Sequence, residues 1–508
     1  MTRQDNPGFA KSIRLAFNRF TTWARQGNQE PHGPTNLESL KTRLSYADLP
    51  SLVMMYLLII FGMLFIYSAA LFSPEQTAVG QASFAFVKTQ MRTTVIGTLA
   101  GLILMILPGY LYKNKTIIHT VNALMVLILV INAVFGNTVG GSTNWLTVFS
   151  VTFQPGEFVK VALIFMVAWH AAYPKDPGVT HQIFTRLIDL TFPKRIGMTQ
   201  VKSQPRSKRK HLLHGFDKET AIPKVLAGVK HFHQTKLDLW ALVMYVLALV
   251  IFYRLPDTGM MIVIVAVTSV LYLYIAKSAL LNSLFYLGVA GIYFLLRILA
   301  KANAAKWIAD GNYRRARLGI FVDPFIDPLG VGYQLIQSMV AISNGGLLGQ
   351  GLGQGQVKIS ALPAAHTDFI FSVIGEEIGV LGLAIFLTFY LGTFAYLFWQ
   401  AVHLKDRAYR AFAMAVPTLY FIQAMINIGG ALSLLPLTGL TLPFISYGGS
   451  SILSLVMTMG VYQAAIINDR INQCYQSPTY GHDLGLDQAD QEIDESDMDL
   501  MNDPYQRV

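Results

Sequence analysis

Long apolar segments recur along this 508-residue chain, and they limit its fold more than any other feature. A helix needs about 20 apolar residues to cross about 30 Å of hydrocarbon. Ten segments approach that length, and none alternates polar and apolar residues as a membrane β-barrel would. They cover roughly residues 49–71, 93–112, 116–136, 157–172, 237–254, 259–277, 279–299, 368–400, 411–432 and 449–468. The sequence therefore predicts an all-α polytopic membrane protein with about ten transmembrane helices.

Composition supports this class of protein and excludes others. Hydrophobic residues make up 53% of the chain, charged residues 13%, and the mean hydropathy is +0.44, which is too apolar for an ordinary soluble domain. The formal net charge is +10. Because no basic module is interleaved with aromatic residues, no nucleic-acid partner is expected. The single cysteine, Cys474, cannot form an intramolecular disulfide.

The distribution of basic residues orients the predicted helices. Residues 173–236, between the fourth and fifth segments, hold thirteen Lys or Arg and four acidic residues, so we expect a cytoplasmic loop. Counting outward from it places both termini in the cytoplasm. It also places residues 300–367, between helices 7 and 8, outside the membrane as a large extracytoplasmic loop. Residues 1–48 are then a cytoplasmic extension without a cleavable signal peptide, residues 49–468 the transmembrane domain, and residues 469–508 an acidic, disordered tail.

The predicted extracytoplasmic loop contains charges that the orientation rule does not favour. Residues 314–334, "RRARLGIFVDPFIDPLGVGYQ", hold three arginines and two Asp-Pro pairs. Basic residues are usually depleted on the outer face. A bound anion would explain them, because arginine binds phosphate in a forked geometry. Attraction to lipid headgroups, or ion pairs with Asp323 and Asp327, would explain them equally well.

Other charged residues lie inside the predicted membrane segments. Glu157 and Lys160 are three residues apart and share one helix face, which points to a polar cavity or the bundle interior. Glu376 and Glu377 lie about two turns into the eighth segment. Carboxylates at that depth are costly, so at least one of the two must face a partner or a cavity.

Two segments are rich in glycine or proline. Residues 345–356, "GGLLGQGLGQGQ", follow no predicted strand and lack the Gly-Lys-Ser/Thr ending of a nucleotide-binding loop. A close backbone approach to a ligand and an ordinary flexible loop both fit this segment. Residues 434–451, "LLPLTGLTLPFISYGGSS", cannot form a regular helix throughout. They predict a re-entrant or surface segment that is buried against protein.

Three segments together resemble the signature motifs of a known family. They are "DPFIDPLGVGYQLIQSMVAISNGGLLGQGLGQG", "PAAHTDFIFSVIGEEIG" and "LPLTGLTLPFISYGGSS". Over about residues 50–468 the chain resembles the SEDS family (shape, elongation, division and sporulation) of membrane glycosyltransferases. The forms "TGLTLPFISYGGSS" and "RRARLGIFVDPFIDP" are closer to the division-type FtsW branch than to the elongation-type RodA branch.

This resemblance implies a peptidoglycan glycosyltransferase. Such an enzyme polymerises lipid II, the undecaprenyl-pyrophosphate-linked disaccharide pentapeptide, into glycan strands at the outer face of the bacterial cell membrane. The FtsW branch implies action at the division septum. The implied partners are membrane lipids, division proteins and a cognate class B penicillin-binding protein, the transpeptidase that crosslinks the glycan.

The resemblance also implies roles for individual residues. Asp327 takes the role of catalytic base, Asp323 is the second candidate, and an Asp-Pro turn is the purely structural alternative. Arg315 and Arg317 are expected to bind the pyrophosphate or to order the loop. The remaining residues expected to bind substrate or line the cavity are Trp145, Glu157, Lys160, Gln334 and His366. No cofactor is implied, and a divalent cation, magnesium or manganese, is left open.

A transporter is the alternative from a different class. A lipid II flippase would suit ten helices with carboxylates inside the membrane. Transporters often show two related halves and expose sites to both sides of the membrane. This sequence shows no convincing repeat, and its charged motifs concentrate on the predicted outer face, which favours the transferase. A pure scaffold for division partners would leave those charges without a role.

Overall fold

The structure of the protein is a computed structural model. It describes residues 37–71, 81–139, 142–148, 151–173, 238–276, 279–311, 313–360, 362 and 365–475. Most of the predicted N-terminal extension, nearly all of the basic loop and the tail beyond residue 475 lie outside these described residues. The expectations for those three parts of the chain therefore stay predictions.

Helices form nearly all of the described chain. Each of the ten predicted apolar segments overlaps one of them. Eight are long and apolar enough to cross a membrane, and two more, which begin at Leu239 and Thr258, are apolar but shorter, which confirms a polytopic helical membrane protein. The helices are α1 Leu37–Ser45, α2 Leu49–Ala69, α3 Gln81–Ile106, α4 Gly109–Lys113, α5 Lys115–Phe135, α6 Pro155–Ala172, α7 Leu239–Arg254, α8 Thr258–Ala276, α9 Ala279–Ala309, α10 Tyr313–Val322, α11 Tyr333–Gly345, α12 Val357–Ser360, α13 Ile370–Val402, α14 Arg407–Ala431 and α15 Gly449–Tyr475.

Some helices extend beyond the apolar segments that predicted them. α3 begins at Gln81, well before residue 93, and α9 continues to Ala309, well past residue 299. The added turns contain Lys88 and Arg92 in α3, and Lys301 and Lys306 in α9. Lysine and arginine form helices readily although they interrupt an apolar run. Hydropathy therefore sets the membrane-embedded part of a helix and not its ends.

A small antiparallel sheet accompanies the helices. Its strands are β1 Asn137–Val139, β2 Ser142–Val148 and β3 Val151–Phe153, in the order β1-β2-β3. Trp145 of β2 pairs with Asn137, and Leu146 of β2 pairs with Phe153. The threonines and valines of this segment favour extended backbone, and they were overlooked because the chain around them is apolar.

Contacts divide the helix ends into two groups. At one end, here called the basal end, the Lys113 ammonium lies 3.1 Å from the Asp406 carboxylate. At the other, the loop end, the Ser433 hydroxyl donates to the Phe321 carbonyl at 3.1 Å. The basal end also holds Arg43, Asp238 and Asn468, and the loop end also holds Asn144, Asp257, Arg317 and Leu437. The N-terminal helix and the loop that follows α9 therefore lie at opposite ends, as alternating spans require.

The centre of the bundle is formed by α6, α14 and α15. In their most apolar stretches 78%, 83% and 89% of the residues are buried, whereas only 6% are buried in α9, which therefore has most of its surface free for lipid. α3 and α15 approach closely at Gly101 and Gly460. A side chain at Gly460 would collide with the Gly101 backbone, which is the small-residue contact typical of membrane helices.

The proline- and glycine-rich segment between α14 and α15 is non-helical, as predicted, and its part from Leu440 to Ser446 is largely buried. Its backbone is hydrogen-bonded to side chains of the surrounding helices. Asn427 donates to the Leu440 carbonyl at 2.6 Å, and Tyr390 donates to the Pro443 carbonyl at 3.1 Å. Because non-helical backbone at membrane depth must be paired with protein, these contacts make the segment possible.

The glycine-rich segment after α11 packs closely against a kink in α13. At Gly379 the backbone adopts φ 66° and ψ −175°, which interrupts the helix. The freed Glu376 carbonyl accepts from Gln350 N at 3.0 Å, and Val380 N donates to the Gly346 carbonyl at 2.9 Å. These bonds favour close backbone contact over a flexible loop for this segment.

Candidate active site at the loop end

A buried ion pair lies at the start of α6. Lys160 Nζ is 2.6 Å from Glu157 Oε2, and the two side chains are 0% and 3% exposed. Removing two charges from water is costly unless hydrogen bonds complete their shells. Lys160 Nζ also donates to Gln423 Oε1 at 2.7 Å, and Ser454 Oγ donates to Glu157 Oε2 at 3.2 Å. The pair is therefore held by both α14 and α15.

The polar contacts continue into the segment between α14 and α15. Gln423 Nε2 donates to the Thr441 carbonyl at 3.0 Å, and the Thr441 and Ser451 hydroxyls lie 2.7 Å apart. The Ser454 hydroxyl also donates to the Ser451 carbonyl at 2.9 Å. The ion pair thus fixes the backbone position of residues 441–454. In this conformation neither charged side chain reaches solvent, so the ion pair holds this segment in place and does not contact a substrate.

A second carboxylate lies near the ion pair, in the turn between α7 and α8. Asp257 Oδ2 accepts from Asn144 Nδ2 at 2.8 Å and from Gln154 Nε2 at 3.3 Å. Burial raises the pKa of Asp257 to about 6, and the negative charge of Glu157 adds to that rise. The hydrogen bond from Met260 N opposes it. This carboxyl therefore changes its charge near neutral pH.

Arg317 and Asp368 both lie next to Gly439. Arg317 Nη1 donates to the Leu437 carbonyl at 3.0 Å. A side chain at Gly439 would lie 3.9 Å from Arg317 Nη1 and 3.6 Å from Asp368 Oδ2. Burial raises the pKa of Asp368 to about 6, while the charge of Arg317 opposes the rise. Arg317 is thus directed toward the segment that also carries Thr441.

Asp327 lies in a tight turn between α10 and α11. Its Oδ1 accepts from Gly330 N and its Oδ2 from Val331 N, each at 3.1 Å. Asp323, the second candidate, accepts from Phe325 N at 3.0 Å. Both carboxylates therefore stabilise turns, as the structural alternative requires. Each oxygen has a second lone pair, so the bonds orient the Asp327 carboxylate without using up its capacity to accept a proton.

The other predicted site residues lie in different parts of the loop end. Arg315 is 59% exposed and faces Asp310 at 3.4 Å, on a different side of α10 from the Arg317 contacts. His366 stacks on Phe86, with ring centroids 4.4 Å apart. Trp145 lies in β2, and Gln334 in the first turn of α11.

The predicted site residues do not form one cluster. Glu157 and Lys160 lie side by side, while Arg315 and Arg317 diverge and Asp327 lies in a separate turn. The segment from Leu437 to Ser451 connects the Arg317 region with the ion pair through successive hydrogen bonds. The loop end is therefore a connected polar region. Its buried part surrounds Glu157 and Lys160, and its exposed part contains Arg315 and the Asp327 turn.

A groove of about 580 Å³ runs along α9 next to this exposed part. Phe294, Ile298 and Ile326 supply apolar surface, and Arg297 and Lys301 supply positive charge. Asp323 and Val322 complete the wall nearest the Asp327 turn. An apolar surface combined with two cations suits an amphiphile that carries a phosphate group.

Sequence reasoning missed several of these polar residues. Arg297 lies in an apolar run and resembles a snorkelling side chain, and Gln423 and Thr441 have no local signal at all. Asp257 had a signal, because a lone acidic residue separates two apolar segments there. The buried Lys160 also required an acceptor beyond Glu157, but its identity depends on how α6 packs against α14.

The fold and this region define a class of protein, a polytopic helical membrane protein with a polar site at one end of the bundle. The model of the cell cycle protein family FtsW, RodA and SpoVE matches residues 49–194 and 222–470. The chain belongs to this family, which confirms the resemblance read from its motifs.

Individual relatives agree with this assignment. The probable peptidoglycan glycosyltransferase FtsW of Trichlorobacter lovleyi is 30% identical over 423 residues, covering 82% of this chain and 93% of the relative. Stage V sporulation protein E of Bacillus subtilis is 29% identical over 426 residues, covering 83% and 97%. A chain of a solved peptidoglycan synthase complex has the same fold, with a TM-score of 0.55 at 22% identity, covering 85% of this chain and 99% of its own.

Proposed function

We propose that this protein is a peptidoglycan glycosyltransferase that polymerises lipid II. Family membership supports it, since a relative that covers most of this chain is named a probable peptidoglycan glycosyltransferase. The observation that carries the proposal is the oriented Asp327 carboxylate, which directly follows Ile326 of the wall of a groove that has two cations and apolar surface. These are the groups that a lipid-linked diphosphate donor and a sugar acceptor require.

The reaction forms one bond and breaks one. The acceptor sugar 4-hydroxyl attacks the anomeric carbon of the donor, the bond from that carbon to the diphosphate breaks, and the lipid diphosphate leaves with the electron pair. Asp327 takes the hydroxyl proton as general base. Arg297 and Lys301 in the groove, and Arg317 nearby, stabilise the negative charge that develops on the leaving diphosphate.

Glu157 and Lys160 have a positioning role in this proposal. Both side chains are buried, and their hydrogen bonds hold residues 441–454 in place. Arg317 is bonded to the same segment at Leu437. The buried ion pair therefore determines where Arg317 lies relative to the substrate, without touching the substrate in this conformation.

The carboxylates at the loop end do not converge as a divalent-cation site requires. Asp327 and Asp323 each cap a separate turn, and Glu157 is paired with Lys160. Within the described part of the chain, three acidic or histidine donors come together only at the basal end. We therefore assign charge stabilisation to Arg297, Lys301 and Arg317, and assign no step to magnesium or manganese.

The test is glycan polymerisation by purified protein supplied with lipid II and its cognate transpeptidase. Asp327→Asn keeps an acceptor for the turn but cannot take a proton at neutral pH, so polymerisation should fall by a factor on the order of 10²–10⁴. Asp310→Asn is the control, because that carboxylate pairs with the exposed Arg315 and is not among the residues that line the groove, and it should retain most activity. Full activity of Asp327→Asn would remove this base from the mechanism.

The proposed function also includes an orientation in the membrane, a partner protein and a place of action in the cell. We infer that the loop end faces the outside of the bacterial cell, that a class B penicillin-binding protein is the partner, and that the protein acts at the division septum. Leu329→Cys in a Cys474→Ser background should react with a membrane-impermeant reagent in whole cells, because the Leu329 side chain is 88% exposed. A lipid II scrambling assay on protein reconstituted in vesicles separates the transferase from a flippase. A flippase carrying Asp327→Asn would move lipid II across the membrane as fast as the wild type.

A further inference from the structure

A second cluster of titratable residues lies at the basal end, far from the proposed active site in the fold. His119 comes from the first turns of α5, His170 from the last turn of α6, and Asp238 directly precedes α7. His119 Nε2 lies 3.6 Å from Asp238 Oδ2, and His170 Nε2 lies 3.6 Å from Asp238 Oδ1. The three donor atoms all lie within 4.8 Å of one another.

The two histidines present their free nitrogens to the same point. Both Nε2 atoms are buried and have no hydrogen-bond partner among the described residues. His170 Nδ1 lies 2.9 Å from the Met166 carbonyl. A ring nitrogen that donates to a carbonyl places the lone pair on the opposite nitrogen, so His170 Nε2 is held as an acceptor or a metal ligand.

A structural role for Asp238 explains only part of this arrangement. Asp238 Oδ1 accepts from Ala241 N at 2.8 Å and caps α7, and Oδ2 lies 2.7 Å from Lys115 Nζ. Neither interaction involves His119 or His170. The two stacked rings have centroids 5.3 Å apart and planes inclined by 23°. Their two buried Nε2 atoms would be left without a hydrogen bond if the cluster held nothing.

We propose that His119, His170 and Asp238 bind a divalent transition-metal ion of the zinc class. Imidazole nitrogens and a carboxylate oxygen are the donors that zinc accepts. With bonds of about 2.0–2.2 Å, tetrahedral zinc separates its donors by about 3.4 Å. The two histidines lie 3.6 Å from different oxygens of the carboxylate and all donors lie within 4.8 Å, so a bound ion would draw the three side chains closer together. The fourth position is open to water or to another side chain.

Lys115 also contacts the Asp238 carboxylate. Its ammonium neutralises Asp238 in the absence of an ion, and its side chain is 53% exposed, so it can swing away into solvent. A bound cation and this ammonium compete for one carboxylate. A groove of about 500 Å³ adjoins the cluster on the side of α5 and is lined by Lys115, His119, Trp240 and apolar residues such as Leu124.

The position of the cluster indicates what a bound ion would do. His170 lies in the last turn of α6, and Asp238 directly precedes α7. An ion bound to these residues would hold together the basal ends of α5, α6 and α7. The metal is thus a structural clamp at the basal end, independent of the chemistry at the loop end.

The test is zinc binding by the full-length protein in detergent, purified with a tag that contains no histidine. Five further histidines lie in the 174–237 segment, so all variants are made in a background that replaces them with glutamine, namely His181, His211, His214, His231 and His233. Zinc content is measured by elemental mass spectrometry, and affinity by competition with a chelating dye. The Co²⁺ form is examined for the visible absorption of a tetrahedral site.

The background protein should bind one zinc ion per chain, and zinc should raise its melting temperature. His119→Gln and His170→Gln should each weaken binding at least tenfold and abolish that rise. His403→Gln, an exposed histidine at the end of α13, is the control and should change neither. Lys115→Gln should tighten binding, which a cluster serving only as an ion pair would not show. Equal zinc affinity in the background, His119→Gln and His170→Gln proteins would overturn the proposal.

Discussion

Lys160 Nζ lies 2.6 Å from Glu157 Oε2 on the same turn of α6, and neither side chain is exposed to solvent. The next contact of the lysine, Gln423 Oε1, lies 263 residues away in the sequence. The ion pair therefore joins a local i, i+3 spacing to a tertiary contact. Its stability and its role in positioning the loop end can be measured separately.

Removing one member of the pair should be more damaging than removing both. Lys160→Met leaves the Glu157 charge buried without its partner, at a cost of about 3–5 kcal/mol in the free energy of unfolding. The double variant Glu157→Gln/Lys160→Met removes both charges and should recover much of that loss. Thermal melts of the detergent-solubilised proteins measure the difference.

Polymerisation assays on the same proteins separate the two roles. In our proposal the double variant folds but polymerises slowly, because residues 441–454 lose the contact between Lys160 and Gln423. Additive losses of stability in the two single variants and the double variant would show that the charges do not interact. Wild-type activity in a stable double variant would show that the pair is purely structural.

The sequence predicted the helical bundle well because hydropathy is a local property. Each apolar segment is long enough to be recognised as a membrane helix without knowledge of the helices that pack against it. The strands from Asn137 to Phe153 were missed because their valines and threonines lie in an apolar context. The ends of α3 and α9 were missed because a helix continues through lysines that end an apolar run.

The site was predictable only in part, for a related reason. The spacing of Glu157 and Lys160 predicted that the two side chains share one helix face. Their contacts with Gln423, and through it with Thr441, depend on how α6 packs against α14 and α15, which the sequence does not reveal. From the sequence alone, the same role was expected for Arg315 and Arg317, namely to bind the pyrophosphate or to order the loop. Two residues on a helix are separated by about 200° around its axis, so the fold directs them to different surroundings.

This divergence gives a prediction for the two arginines. Arg317→Ala should lower polymerisation at least tenfold, since it removes a cation bonded to the Leu437 carbonyl beside Asp368. Arg315→Ala, which removes a largely exposed side chain facing Asp310, should have an effect below threefold. Rates are measured with saturating and limiting lipid II. Equal losses in the two variants would contradict the different placements of these side chains.

Asp257 should make stability depend on pH. Burial raises its pKa from 3.8 to about 6, so the folded protein binds a proton more tightly than the unfolded chain does between these values. Stability is therefore greatest below pH 4 for this group and falls as the pH rises toward 6. The loss is on the order of 3 kcal/mol, at about 1.4 kcal/mol for each pH unit of difference.

Asp257→Asn removes this dependence and serves as its own test. The amide stays neutral, and its Nδ2 can donate to Asn144 Oδ1, which is buried without a partner in the described structure. The variant should therefore melt higher than wild type at pH 7.5, and the difference should shrink toward pH 4.5. A difference in melting temperature that is constant over this range would contradict the raised pKa.

Gly379 offers the sharpest prediction about the fold, because α13 contains a matched control. At φ 66° and ψ −175° a residue with a side chain is strained, and a Cβ there would collide with Gly349 N and the Leu347 carbonyl. Gly379→Ala should cost on the order of 3 kcal/mol, since the strain and the displaced backbone add together. Gly392 lies on the same helix, and a Cβ added there would meet nothing within 4 Å, so Gly392→Ala should be neutral or slightly stabilising. Melting temperatures of the two variants in one detergent decide the matter, and equal values would show that the kink at Gly379 does not require glycine.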